Sequence, residues 1–190
     1  MTAALTPTPG QTVGPFFGYA LPFPRCDELV SPDAPGAIRL HGTVFDGAGA
    51  PVPDALIEVW QADADGAAPT ATGTLHRDGS TFTGFGRAET DADGHYALTT
   101  IRPGATGAGA APFFAVTVLA RGLLNRLFTR AYLPCDALAD DRLLATLPDA
   151  RRRTLIAVPD ATGLRFDIRL HAAPDGTEET VFLTYPGHRP

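Results

Sequence analysis

The chain has 190 residues, 44% of them hydrophobic and 19% charged, with a net charge of −6 and a pI near 5.2. That length suits one domain, able to bury about 70% of the surface its unfolded form exposes. The acidic balance excludes a nucleic-acid binder, which needs a surplus of cations, and the only basic run is Arg151-Arg152-Arg153.

Residues 1–36 hold many Pro and Gly and little periodicity, so they read as an extended N-terminal arm. Its aromatics, Phe16, Phe17, Tyr19 and Phe23, must pack on the chain's own body or on a neighbouring subunit. There is no basic n-region followed by an apolar h-region, so the start is not a signal peptide. Two cysteines, Cys26 and Cys135, are too few for a disulfide framework. Free thiols in a cytoplasmic protein of bacterial type are the expectation. The most apolar run, residues 113–120, is too short to span a membrane.

Residues 38–45 alternate in period two and predict a strand, ended by the turn residues 46–49. A second strand is expected over 55–61, a long loop over 62–82, and further extended segments over 87–93 and 95–101. Residues 113–120 and 126–133 read as strands. Residues 136–153 are the one helical connection, broken by Pro148. Strands are then expected over 154–158, 164–171 and 178–184. About nine short strands with one helical connection predict an all-β, single-domain β-sandwich over residues 37–190, preceded by the arm.

The residues themselves offer little chemistry. Neither Ser31 nor Ser80 sits in a nucleophile elbow, and there is no glycine-rich phosphate loop. The histidines, His41, His76, His95, His171 and His188, are isolated, and no H-x-H pair exists to place two imidazoles on one strand face. His41 and His171 are each expected at solvent or an interface, opposite the apolar face of their strands.

One stretch is more specific. Leu40-x-Gly42-x-Val44, Gly49, Val52, Ile57-Glu58-Val59 and Gly66 resemble the signature of the intradiol ring-cleavage dioxygenases. Residues 99–104 and 165–170 resemble later strands of that family. The resemblance implies ferric iron held by two tyrosinates and two histidines. Here those positions are Ala68, Thr106, Phe113 and Ala115, and the family arginine before the histidine pair falls at Ala110. No tyrosine lies between Trp60 and Phe85 and no histidine between Tyr96 and Leu170, so a shift of register cannot restore the ligands.

The pattern is similar to the iron-free chain of the family's two-chain members. By resemblance, Fe(III) is held by a homologous beta subunit, the two chains build a larger hetero-oligomer, and the substrate is a small catechol acid, 3,4-dihydroxybenzoate. No nucleic acid or membrane is implied. Thr12, Gly14, Pro15 and Arg130 would line the beta subunit's pocket, and Phe113 and Phe114 would fill part of the lost iron site. The competing reading is a transthyretin-like sandwich module, since residues 91–104 also fit that pattern. The long arm and the later strands favour the dioxygenase subunit.

Overall fold

The computed structural model describes residues 12, 14, 16–71, 77–79 and 81–185. A single helical turn, α1 (Phe17–Ala20), precedes β1 (Ala37–Phe45), β2 (Leu56–Trp60), β3 (Phe85–Glu89), β4 (His95–Ile101), β5 (Phe113–Leu119) and β6 (Leu127–Tyr132). Two 3-10 turns, Asp136–Ala139 and Leu144–Thr146, lead to α2 (Asp149–Arg153). The last strands are β7 (Val158–Asp160), β8 (Gly163–Arg165) and β9 (Ile168–Arg169).

These strands make an all-β sandwich of two sheets. One has the order β4-β1-β8-β7, with β9 also beside β1; the other is β3-β2-β5-β6. Alternation decides which side chains meet between them. Leu40 and Val44 of β1, Ile57 and Val59 of β2, and Phe114, Val116 and Val118 of β5 share one core. A smaller cluster, Ala111, Tyr132, Leu144, Leu155 and Val181, forms where the helical connection folds back.

The base of the arm closes one side of the sandwich. Arg87 N–H donates to Cys26 O, Thr99 N–H to Asp27 O, and Leu29 N–H to Thr99 O. These bonds occupy the outer edges of β3 and β4, which would otherwise present unpaired backbone groups. Both cysteines are free thiols.

Several boundaries differ from the sequence reading. Residues 154–156 continue the last turn of α2, because the N–H groups of Thr154, Leu155 and Ile156 donate to carbonyls of residues 151–153. The strand therefore starts only at Val158. The expected strand over 164–171 is broken at Phe166–Asp167, where Asp167 Oδ1 replaces a ladder carbonyl and accepts Thr43 N–H at 3.1 Å. Gly42 faces this break, and any side chain there would collide with Phe166 O. Residues 178–184 form no strand: Thr180 N–H goes to Arg169 O and Leu183 N–H to Phe128 O, so the segment splits its bonds between two sheets.

His41 is also not where its strand position suggested. It is 7% exposed. The β7–β8 turn folds over it, placing Asp160 Oδ2 3.1 Å and Thr162 Oγ1 2.9 Å from Nε2. His171 is exposed, as expected. His76 and His188 lie outside the described residues.

Candidate functional site

The outer face of the β3-β2-β5-β6 sheet carries Phe113, Ala115 and Arg130, and Thr106 lies in a loop beside it. On β5, Phe114 points into the sandwich core while Phe113 and Ala115 point outward. Ala115 pairs with Trp60 on one side and Arg130 on the other, and Phe113 pairs with Tyr132. An open cleft of about 380 Å³ sits here, and Thr106, Ala110, Phe113, Arg130, Asp141 and Arg142 are among its lining residues. The fold thus gathers Thr106, Ala110, Phe113 and Arg130, from distant parts of the chain, into one place. Of the two phenylalanines expected to fill this volume, only Phe113 is on the correct face.

Ala68 is exposed in the loop after β2. Asp63 Oδ1 ties that loop into a turn by accepting Asp65 and Ala67 N–H. Gly104 N–H donates to Asp63 O at 2.7 Å, and Gly66, at φ +86°, lies so close to Ala105 that a side chain would strike its carbonyl. The loops bearing Ala68 and Thr106 are therefore packed backbone to backbone.

A buried network holds the floor of the cleft. Asp141 is 3% exposed. Its Oδ2 accepts Ala111 N–H at 3.0 Å; its Oδ1 accepts Leu143 N–H, Leu144 N–H and the Tyr132 hydroxyl at 3.0–3.2 Å. Tyr132 Oη in turn accepts Arg130 Nη1 at 3.0 Å. Burial raises the Tyr132 pKa, the Arg130 contact opposing it, so the phenol stays neutral. The Arg130 guanidinium lies over the Phe113 ring, 4.0 Å from its centroid. Sequence reasoning missed Tyr132, Asp141 and Arg142. The available signal was local: Asp141 two and three residues before Leu143 and Leu144 is the spacing of a capping aspartate.

A ferric ion does not fit this cleft. Ala68, Thr106, Phe113 and Ala115 offer one neutral hydroxyl and no imidazole, phenolate, thiolate or carboxylate. Both oxygens of Asp141 are already committed to backbone and Tyr132. Among the described residues, no three His, Cys, Asp or Glu side chains cluster closely enough to hold a metal.

The arm lies elsewhere. Gly18 and Tyr19 sit beside Asp54, Glu89 and Arg121, at the Leu56–Leu119 end of the sheet. The cleft opens at the Trp60–Phe113 end, roughly 20 Å away along β5 at ~3.3 Å per residue. Thr12 is exposed, and its Oγ1 accepts Gly14 N–H at 3.2 Å. Gly14 has φ +75°, where glycine is favoured. Pro15 lies outside the described residues. Phe16 and Tyr19 are 75% and 87% exposed.

A family model described as dioxygenase matches residues 25–172. The alpha chain of protocatechuate 3,4-dioxygenase from Burkholderia cepacia is 39% identical over 202 residues, covering 94% of this chain and 98% of that one. The chain belongs to the intradiol dioxygenase family. The beta chain from the same organism is 34% identical over 162 residues, covering 78% of this chain and 61% of that one. Among solved structures, the dioxygenase domain of a dioxygenase carbohydrate-binding protein fusion from Streptomyces sp. SirexAA-E is 28% identical. Its TM-score is 0.53, covering 86% of this chain and 96% of that one. The family match extends well past the length of a minimal sandwich module. Intradiol dioxygenases are iron-dependent. Among the described residues, no helix is long and apolar enough to cross a membrane.

Proposed function

We propose that this chain is the iron-free alpha subunit of a two-chain intradiol dioxygenase. Its partner would be a homologous beta subunit that holds Fe(III) and cleaves 3,4-dihydroxybenzoate with O2 to 3-carboxy-cis,cis-muconate. The observation carrying this reading is the chemistry at Ala68, Thr106, Phe113 and Ala115, which cannot ligate iron, on a scaffold similar to an alpha chain over nearly its whole length.

The arm is this chain's contribution to the partner. Of its described residues, Gly18 and Tyr19 sit at the end of the sheet remote from the cleft, Thr12 is exposed, and Phe16 and Tyr19 are uncovered. Thr12, Gly14 and Pro15 would line the beta subunit's pocket. Glycine allows close backbone approach to a ligand, and a proline has a fixed φ. The body of residues 37–190 would be the dioxygenase-like sandwich and residues 1–36 the interface arm, in a cytoplasmic hetero-oligomer. Arg130 is the fourth residue the resemblance assigns to that pocket; its guanidinium stands in this chain's own cleft.

The test is expression with and without the beta partner, followed by iron analysis and visible absorbance. The expected result is a colourless, iron-free chain alone and a coloured iron complex with the partner. Stoichiometric iron on this chain alone would overturn the reading.

A further inference from the structure

Among the described residues, one hydrogen bond ties residues 16–25 of the arm to the sandwich. The backbone bonds of this segment stay within the arm: Tyr19 and Ala20 N–H donate to Phe16 O, Leu21 N–H to Phe17 O, and Cys26 N–H to Phe23 O. Backbone bonding to the strands begins only at Cys26, Asp27 and Leu29. The tie is donated by Arg87 Nη1 to Leu21 O. Leu21 is the C-cap of α1, and its carbonyl is one of those that a helix end leaves without an internal partner.

Arg87 is set for this bond by its cross-strand partner. Glu58 of β2 and Arg87 of β3 lie directly opposite each other, on the face away from the core residues Ile57, Val59 and Ala88. Glu58 Oε1 accepts both Nε and Nη2 of Arg87, which leaves Nη1 for Leu21 O. The Arg87 and Glu58 side chains are only 12% and 18% exposed, so water competes weakly for these bonds. With its plane already fixed by the carboxylate, the guanidinium loses little further entropy in holding the arm carbonyl. Phe23 adds a second contact. Its ring centroid lies 5.8 Å from the Arg87 guanidinium and 5.1 Å from that of Arg77, which donates to Phe85 O at 2.7 Å.

We propose that Arg87, oriented by Glu58, is a positioning residue: it fixes residues 16–25 on the outer face of the sheet and so sets where Thr12, Gly14 and Pro15 stand in the partner's pocket. Its effect on that pocket rests on the subunit reading, whereas the anchor lies wholly within this chain. Arg87 acts through the arm and not on substrate. An arm released from Leu21 O samples many positions, so the pocket is complete for only part of the time and substrate binds more weakly. The reaction step, carried out on the other chain, proceeds as before.

The test combines hydrogen exchange of the full chain alone with kinetics of its complex with the beta partner. In the chain alone, residues 17–26 should exchange about tenfold faster in Arg87→Ala and in Arg87→Lys, with β5 unchanged in the lysine variant. Lysine keeps a cation opposite Glu58 and so limits the loss of stability, but it lacks the fork that serves the carboxylate and Leu21 O together. In the complex, Arg87→Lys should raise KM for 3,4-dihydroxybenzoate about fivefold and leave kcat and iron content within about twofold. Gly14→Ala should also raise KM, and adding Arg87→Lys to it should raise KM by no more than about twofold further, because both act through the arm. Unchanged exchange of residues 17–26 overturns the anchor. An unchanged KM, or effects of the two substitutions that simply multiply, overturns the positioning role. Iron bound by this chain alone would sink the subunit reading and leave the exchange result standing.

Discussion

Asp141 and Asp160 make the same local arrangement at very different exposure. Asp141 Oδ1 gathers the N–H groups of Leu143 and Leu144; Asp160 Oδ1 gathers those of Thr162 and Gly163. Each also holds a side chain from a distant strand, Tyr132 of β6 in one case and His41 of β1 in the other. Asp141 is almost fully buried, whereas the Asp160 side chain is one-third exposed. Burial decides what each can do. Water can replace the partners of Asp160, so it acts as a latch on the β7–β8 turn. Nothing can replace those of Asp141, so it fixes the cleft.

Removing Asp141 should therefore have the largest effect. Asp141→Ala strips acceptors from the buried Ala111 N–H and Tyr132 hydroxyl, and about 3–4 kcal/mol of stability should be lost in urea unfolding. An unchanged midpoint would show that the network is not what holds the connection to the sheet. Tyr132→Phe keeps the ring and removes the link to Arg130; about 1–2 kcal/mol should go.

Asp160→Asn should cost least, and its cost should depend on pH. The Thr162 hydroxyl first, then the Thr162 N–H, with His41 also contributing, hold the Asp160 carboxyl well below the usual carboxylate range. A depressed folded-state pKa gives stability that is complete above the unfolded value of about 3.9 and lost as pH falls through the folded value. The gap between wild type and Asp160→Asn should accordingly be constant near neutral pH and close in strong acid. A gap that widens on acidification would contradict the latch.

The sandwich was legible in the sequence where each strand's own residues decide its fate. The alternation of Leu40 and Val44, and of Val116 and Val118, marks faces that the structure buries. It failed where distant chain takes over. His41 looks like a surface residue on β1, and the turn that buries it arrives from residues 160–162. Residues 178–184 look like a strand because Val181 and Phe182 are apolar, but their hydrogen bonds are shared between two sheets. The absence of tyrosine and histidine at the positions the resemblance points to is a question of residue type and can be read from sequence. The cleft could not, because Arg130, Tyr132 and Asp141 meet only through β6 and the turn after it.

The parallel pairing of β1 with β8 has a consequence during synthesis. Leu40 lies opposite Leu164 and Val44 opposite Ile168. At about 5–20 residues per second, the N-terminal strand emerges roughly 6–25 s before the strands that flank it. One edge of β1 is paired once β4 has emerged, and its other edge stays open until residues 163–169 follow. The order of translation thus leaves that edge of β1 able to template pairing with another strand until its own partners arrive.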